Sequence, residues 1–263
     1  MIYATPTTYA ERTWSPPKGS RGPNYGARSL RPLLTVQHTP VETLGTLGDA
    51  LRRAGVPYEY VRTQEGEPVP QSAEGLGGLV VLGGPMGVYE TERYPHLEDE
   101  IRLIQDALEC RVPVLGVCLG SQLLARALDS TVGPADAKEL GWGRVETTEE
   151  ASYDPLFGSL DGSFTAFHWH GDVFGLPEGA ILLASSGPTP VQAFRFEERA
   201  YGLLFHLEVD EGLVRRMLDA FEDEAREAGE DPYEILRQTP EHLPQLMARA
   251  VRFYERFVRL LFT

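Results

Sequence analysis

The feature that most constrains the fold is a regular alternation of short apolar runs with helical segments between residues 33 and 128. Leu33-Leu34-Thr35-Val36-Gln37-His38 reads as a buried strand. Val41 to Ala54 then places Leu44, Leu47 and Leu51 at helical spacing, with Gly55 as the stop. Tyr58-Glu59-Tyr60-Val61 is a second strand, and Leu79-Val80-Val81-Leu82 a third that runs into Gly83-Gly84-Pro85. Leu97 to Glu109 is a helix, Val112 to Val117 a buried strand, and a further helix runs from about Ser121 to Leu128. Strands that are apolar on both faces and separated by helices predict an open, mostly parallel sheet with helices on both faces.

After Leu128 the pattern changes. Short β-type segments fall at 143–147, 163–167, 181–184, 191–196 and 202–206, and the chain closes on charge-rich helices at 212–228 and 242–261. On the terminal helix Leu246, Val251, Phe253, Phe257 and Leu260 form an apolar face expected to pack on the core. Residues 1–30, rich in proline and glycine without apolar periodicity, read as an N-terminal extension open to flexibility, and 31–263 as the folded domain. The balance of 24 basic and 39 acidic residues gives a formal charge of −15, a poor surface for phosphate backbones, so nucleic acid is not an expected partner. No run reaches the length of a membrane span, and no apolar segment near the start suggests a secretory leader. Two cysteines make no disulfide framework, so a reducing, cytoplasmic setting is expected.

One of those cysteines stands in a chemically pointed context. Gly116-Val117-Cys118-Leu119-Gly120 has the form G-x-C-x-G between a strand and a helix. A tight turn there lifts the side chain off the sheet, and the amides that open the helix favour a thiolate. A lone cysteine is more often a small core residue, which is the reading kept for Cys110. For Cys118 the partners matter. Phe205-His206-Leu207-Glu208 offers a base and its orienting acid, and at the end of a strand His206 and Glu208 share a face. The glycine loop Gly83-Gly84-Pro85-Met86-Gly87 follows another buried strand and can aim a backbone N–H at a developing oxyanion, with the N–H of Leu119 as second donor.

Together, Gly83-Gly84-Pro85, Gly116-Val117-Cys118-Leu119-Gly120-Ser121-Gln122 and His206-x-Glu208 resemble the class I (triad) glutamine amidotransferase family. The stretches Trp142–Val145 and His168-Trp169-His170-Gly171-Asp172, with the helical tail, are similar to free-standing relatives of the GMP synthase glutaminase domain. The resemblance covers roughly residues 33–210. It implies a flavodoxin-like open sheet with a helical C-terminal tail, and a Cys118, His206, Glu208 triad that hydrolyses the glutamine side-chain amide through a γ-glutamyl thioester. It further implies an oxyanion hole at Gly84 and Leu119, and substrate contacts from Gly83, Gln122 and the loop Trp169, His170, Gly171, Asp172. No cofactor and no metal is implied. The implied partners are glutamine or another γ-glutamyl compound and, since no synthetase domain is recognised, either a separate synthetase subunit or, for a free hydrolase, none. Two departures stand out: Leu207 takes the place of a common proline, and Leu119 that of a common aromatic residue.

Four other readings use the same residues. A free-standing γ-glutamyl peptide hydrolase would share the triad and differ only in its leaving-group pocket. An α/β-hydrolase elbow also fits G-x-C-x-G, but its acid precedes the histidine in the chain, the reverse of His206 and Glu208. A zinc hydrolase could use His168, His170 and Asp172. A non-catalytic relative would be expected to have lost part of the triad.

Overall fold

The computed structural model describes residues 31–160 and 162–263. The expected extension at 1–30 lies outside them. Among the described residues nine strands form one sheet in the order β2-β1-β3-β4-β9-β8-β7-β5-β6. The strands are β1 (Leu33–Gln37), β2 (Tyr58–Arg62), β3 (Gly78–Val81), β4 (Val114–Val117), β5 (Val132–Thr147), β6 (Phe164–Phe174), β7 (Ile181–Ser185), β8 (Ala193–Phe196) and β9 (Ala200–Leu203). β2, β1, β3, β4 and β9 are mutually parallel, and β8, β7, β5 and β6 extend the sheet antiparallel.

The helices are α1 (Gly45–Ala54), α2 (His96–Glu109), α3 (Leu119–Ala127), α4 (Glu149–Tyr153), α5 (Glu211–Ala220), α6 (Glu222–Glu227) and α7 (Pro232–Leu260). Two cores explain the continuous apolar runs. Val80 and Leu115 face a core shared with α1, α5 and α7, while Leu79, Val81 and Val114 face one shared with α2 and α3. Alternate side chains of each central strand are thereby buried on opposite sides of the sheet. The expected sheet type is thus observed; sheets of this type place ligands outside the carboxyl ends of their parallel strands.

Several boundaries differ from the sequence reading. The first helix starts at Gly45 rather than Val41, because Gly45 has a φ of 45° and its close approach to the Glu208 carbonyl sets the turn. The expected helix at 212–228 breaks at Phe221, whose ring packs on Trp169. The terminal helix begins at Pro232, ten residues before the sequence start at 242, and carries Pro240 and Pro244 inside it. Proline costs an interior hydrogen bond, but Ile235, Thr239 and Leu243 bury the same face as Leu246, Phe253 and Phe257, and packing outweighs it. Val251 and Leu260 of the expected apolar face are only partly buried. The segment read as 143–147 is the end of β5, whose earlier part, poor in β-formers and bulged between Pro134 and Glu139, was not legible as a strand.

Candidate active site

Cys118 sits between β4 and α3 with φ 51° and ψ −111°, a conformation that non-glycine residues rarely adopt. Its N–H donates to the Leu203 carbonyl at 2.8 Å, and its own carbonyl accepts from Ser121 N–H at 2.9 Å and the Ser121 hydroxyl at 2.6 Å. The flanking glycines are steric requirements. A Cβ on Gly120 would run into the Val81 carbonyl of β3, and one on Gly116 into the backbone of Gly120. The motif therefore records how closely α3 must approach β3 and β4 for the thiol to stand at the strand end.

His206 lies just beyond β9 rather than within it, held extended by its N–H to the Phe167 carbonyl at 2.8 Å. Its Nδ1 is 2.7 Å from Glu208 Oε1, so the two side chains do share a face. Both are buried, and the His206 imidazole lies within reach of the Cys118 side chain, which interacts with it. The Cys118 thiol also has the Trp169 carbonyl within donating distance at 3.3 Å. Burial pushes the thiol up, and the His206 imidazole pulls it back. Burial also opposes charge on His206, but the Glu208 carboxylate, aided by Cys118, outweighs it and holds the imidazole well above its ordinary value. The carboxylate thus favours the imidazole as the place for a proton shared with sulfur.

Gly83 and Gly84 follow β3 beside this pair. A Cβ on Gly83 would sit 3.3 Å from Cys118 Cβ, and one on Gly84 3.0 Å from Leu119 Cδ2. The stretch expected as a substrate loop is instead part of β6, where Trp169, His170 and Asp172 pair with β5 and Gly171 lies opposite its bulge. The Trp169 indole N–H donates to Glu224 of α6 at 3.0 Å, which is the service the break at Phe221 performs. Gln122 reaches this strand and donates to the Asp172 carbonyl at 3.2 Å. The Asp172 carboxyl is raised by its burial, opposed by a hydrogen bond from Tyr89, itself largely exposed.

Comparison with known proteins places the chain in a family. The family model "Glutamine amidotransferase class-I" matches residues 44–222. The chain belongs to the class I glutamine amidotransferases. It is 32% identical over 196 residues to the glutamine amidotransferase-like protein YfeJ of Salmonella typhimurium, covering 73% of this chain and 82% of that one. It is 36% identical over 134 residues to the glutamine-hydrolyzing GMP synthase of Lacticaseibacillus casei, covering 50% of this chain but 24% of that enzyme. A glutamine amidotransferase structure from Thermotoga maritima superposes with a TM-score of 0.80 at 31% identity, over 90% of this chain and all (100%) of that one. One from Methylobacillus flagellatus gives 0.81 at 29% identity, over 88% and 96%. Membership makes the chain an enzyme of glutamine amide C–N bonds.

Other groups of the amidotransferase were not singled out from the sequence. Asp172 does not join the two histidines considered for zinc; Glu139 does, with candidate ligand atoms of Glu139, His168 and His170 all within 4.8 Å of one another. Glu139 already accepts from Ser186 Oγ at 2.8 Å, Thr189 Oγ1 at 2.5 Å and Gln192 Nε2 at 2.8 Å, which ties β5 to the β7–β8 connection. Burial pulls His168 down to about 4 and His170 to about 3, so both are neutral at physiological pH. Also missed were His38 and Glu42, which lie beside the glycine loop. The signal was available, since His38 immediately follows β1 at the same edge of the sheet as Cys118.

Glu42 is fully inside the protein, and among the described residues its Oε2 has no hydrogen-bond partner. Burial raises its carboxyl from 4.5 to about 6; His206 opposes the rise, Glu208 adds to it and His38 opposes it. A folded value above the unfolded one means that the cost of ionising Glu42 appears as pH rises from 4.5 through 6 and stays in full above. A shift of that size corresponds to about 2 kcal/mol. Glu42→Gln is therefore expected to gain about 2 kcal/mol in unfolding free energy over the parent at about pH 7.5 compared with about pH 4. Urea titrations at the two pH values test this, and a difference that does not change with pH contradicts it.

Proposed function

We propose that residues 31–263 act as one glutaminase domain that hydrolyses the side-chain amide of glutamine through a γ-glutamyl thioester on Cys118. The observation that carries the proposal is a strained, strand-end thiol in contact with a buried imidazole whose Nδ1 is fixed by a carboxylate at 2.7 Å. In the first half, Cys118 sulfur bonds to the amide carbon of glutamine while its proton passes to His206 Nε2. The carbonyl oxygen becomes an oxyanion facing the N–H groups of Gly84 and Leu119. The carbon–nitrogen bond then breaks, and the His206 proton leaves with ammonia. In the second half, water gives a proton to His206 and adds to the thioester carbon. The sulfur departs, takes the proton back, and glutamate is released.

Glu208 keeps Nδ1 protonated, so that Nε2 is free to accept at each stage. The substrate's α-ammonium group is assigned to Asp172, with Trp169, His170 and Gly171 setting the strand edge on which it sits. Gln122 and Gly83 shape the same pocket. Among the described residues both cysteines are free thiols and no helix is long and apolar enough to cross a membrane. A cytoplasmic setting, where Cys118 stays reduced, suits the chemistry. The matching GMP synthase is named as glutamine-hydrolyzing, and by that likeness the ammonia is proposed to pass to a separate synthetase subunit.

The test is release of ammonia and glutamate by the purified chain, with glutamine, γ-glutamyl amides and γ-glutamyl peptides as substrates. Glutamine is expected to be turned over with equal amounts of the two products. Preference for γ-glutamyl peptides over glutamine contradicts the proposal, as does silence on every substrate both alone and in the presence of cell lysate.

A further inference from the structure

Behind the glycine loop runs a buried polar chain that the reaction above does not use. His38 is 3% exposed. Its Nδ1 lies 2.9 Å from the Gly83 carbonyl oxygen, and its Nε2 2.8 Å from Glu100 Oε2. The other oxygen of Glu100 is 2.8 Å from His96 Nδ1 on the preceding turn of α2. A carbonyl can only accept, so His38 Nδ1 carries a hydrogen. A carboxylate also accepts, so Nε2 carries one too, and His38 is an imidazolium between two acceptors. Burial opposes that charge, but Glu100 outweighs it and raises His38. An apolar trio of similar volume would hold α2 to β1 as well or better, since buried ion pairs are poor sources of net stability. The polar chain therefore calls for a reason beyond packing.

The reason lies in the peptide unit it grips. The carbonyl of Gly83 and the N–H of Gly84 belong to one planar, trans peptide and point in opposite directions. Whatever fixes the carbonyl fixes the N–H. With glycine on both sides of the bond, local backbone preference does little to stop the unit from rotating. Space on the loop is filled from both flanks: a Cβ on Gly84 would lie 2.7 Å from His38 Cβ, and one on Gly83 would collide with Glu42 Oε2.

We infer that His38 is a positioning residue that locks the Gly83–Gly84 peptide with its N–H toward Cys118, and that Glu100 and His96 are the strut behind it. This rests on the glutaminase reading above, because an aimed Gly84 N–H matters only if an oxyanion forms there.

The experiment compares two reactions of Cys118 in a Cys110→Ser background, which removes the exposed thiol. Glutamine hydrolysis passes through an oxyanion. Alkylation by iodoacetamide does not. His38→Ala combined with Glu100→Gln, which avoids an unpaired buried carboxylate, is expected to lower kcat for glutamine about 10²-fold with KM changed by less than about threefold. Its alkylation rate is expected to stay within about twofold of the parent, because no oxyanion donor is involved. His38→Asn, which still offers an N–H to the Gly83 carbonyl, is expected to restore kcat to within about tenfold of the parent. If the double variant does not fold, Glu100→Gln alone serves, with a fall in kcat of about tenfold and alkylation unchanged. An unchanged kcat, or a parallel loss of hydrolysis and alkylation, overturns the inference while leaving the glutaminase reading intact. A parent chain that does not hydrolyse glutamine overturns both.

Discussion

Cys118→Ala is expected to abolish ammonia release from glutamine, with at least a thousandfold loss of kcat, on the order seen when a covalent nucleophile is removed. The residual rate of such a variant reflects binding and oxyanion stabilisation alone, with water attacking the amide directly. The protein should still fold. Cys118 gives up its thiol contacts with the Trp169 carbonyl at 3.3 Å and with His206; weak bonds of that kind contribute about 1 kcal/mol. The contacts that shape the turn are made by its backbone and by Ser121, and these remain. Circular dichroism and thermal melting should therefore match the parent to within a few degrees, about the shift 1 kcal/mol produces in a domain of this size. Residual activity above about one percent of the parent would remove Cys118 from the chemistry.

Glu208→Gln is the second large effect, and its size comes from the proton rather than from packing. Glutamine nearly matches the shape of glutamate, and the main-chain carbonyl of residue 208 keeps its bonds from Thr46 N–H at 2.9 Å and the Thr46 hydroxyl at 3.2 Å. What changes is the partner of His206 Nδ1. An amide can turn its NH2 toward that nitrogen and force the hydrogen onto Nε2, where it faces the thiol as a donor and cannot accept. A fall in kcat of about 10³- to 10⁴-fold is expected, as for other acid-to-amide changes in catalytic triads. A second signature follows from charge. Glu208 is the principal group raising His206, and His206 is the group drawing the Cys118 thiol down. Removing the carboxylate weakens the imidazolium, so alkylation of Cys118 should shift to higher pH. Alkylation profiles of the two proteins check this. A loss of turnover with an unshifted profile would mean that Glu208 acts only as a scaffold.

Much of this site could be read from the chain because its chemistry is local in sequence. The Cys118 turn needs Gly116 and Gly120 within two residues, for backbone contacts that the structure displays. The pair His206 and Glu208 needs only the two-residue repeat of extended chain. The parallel core was equally legible, since strands buried on both faces leave continuous apolar runs.

What escaped depends on distant parts of the chain. His38 meets Glu100 across sixty-two positions, and Glu139 meets Gln192 across fifty-three. No pattern in either neighbourhood announces the other. The stretch from His168 to Asp172 read as a loop because its glycine and polar residues suit one; pairing with an equally unpromising β5 makes it a strand. In α7, Pro240 and Pro244 are local stop signals overridden by the buried face that runs through them. In each case tertiary contact outweighed local preference.

The most direct test of the central claim is to look for the acyl-enzyme itself. The chain is mixed with glutamine, quenched in acid within the first turnover, digested, and the peptide carrying Cys118 is weighed by mass spectrometry. One γ-glutamyl group on Cys118, discharged by hydroxylamine and missing from Cys118→Ala, is the expected result. Turnover of glutamine in which Cys118 stays unmodified at every quench time, while ammonia release persists in Cys118→Ala, would contradict the account.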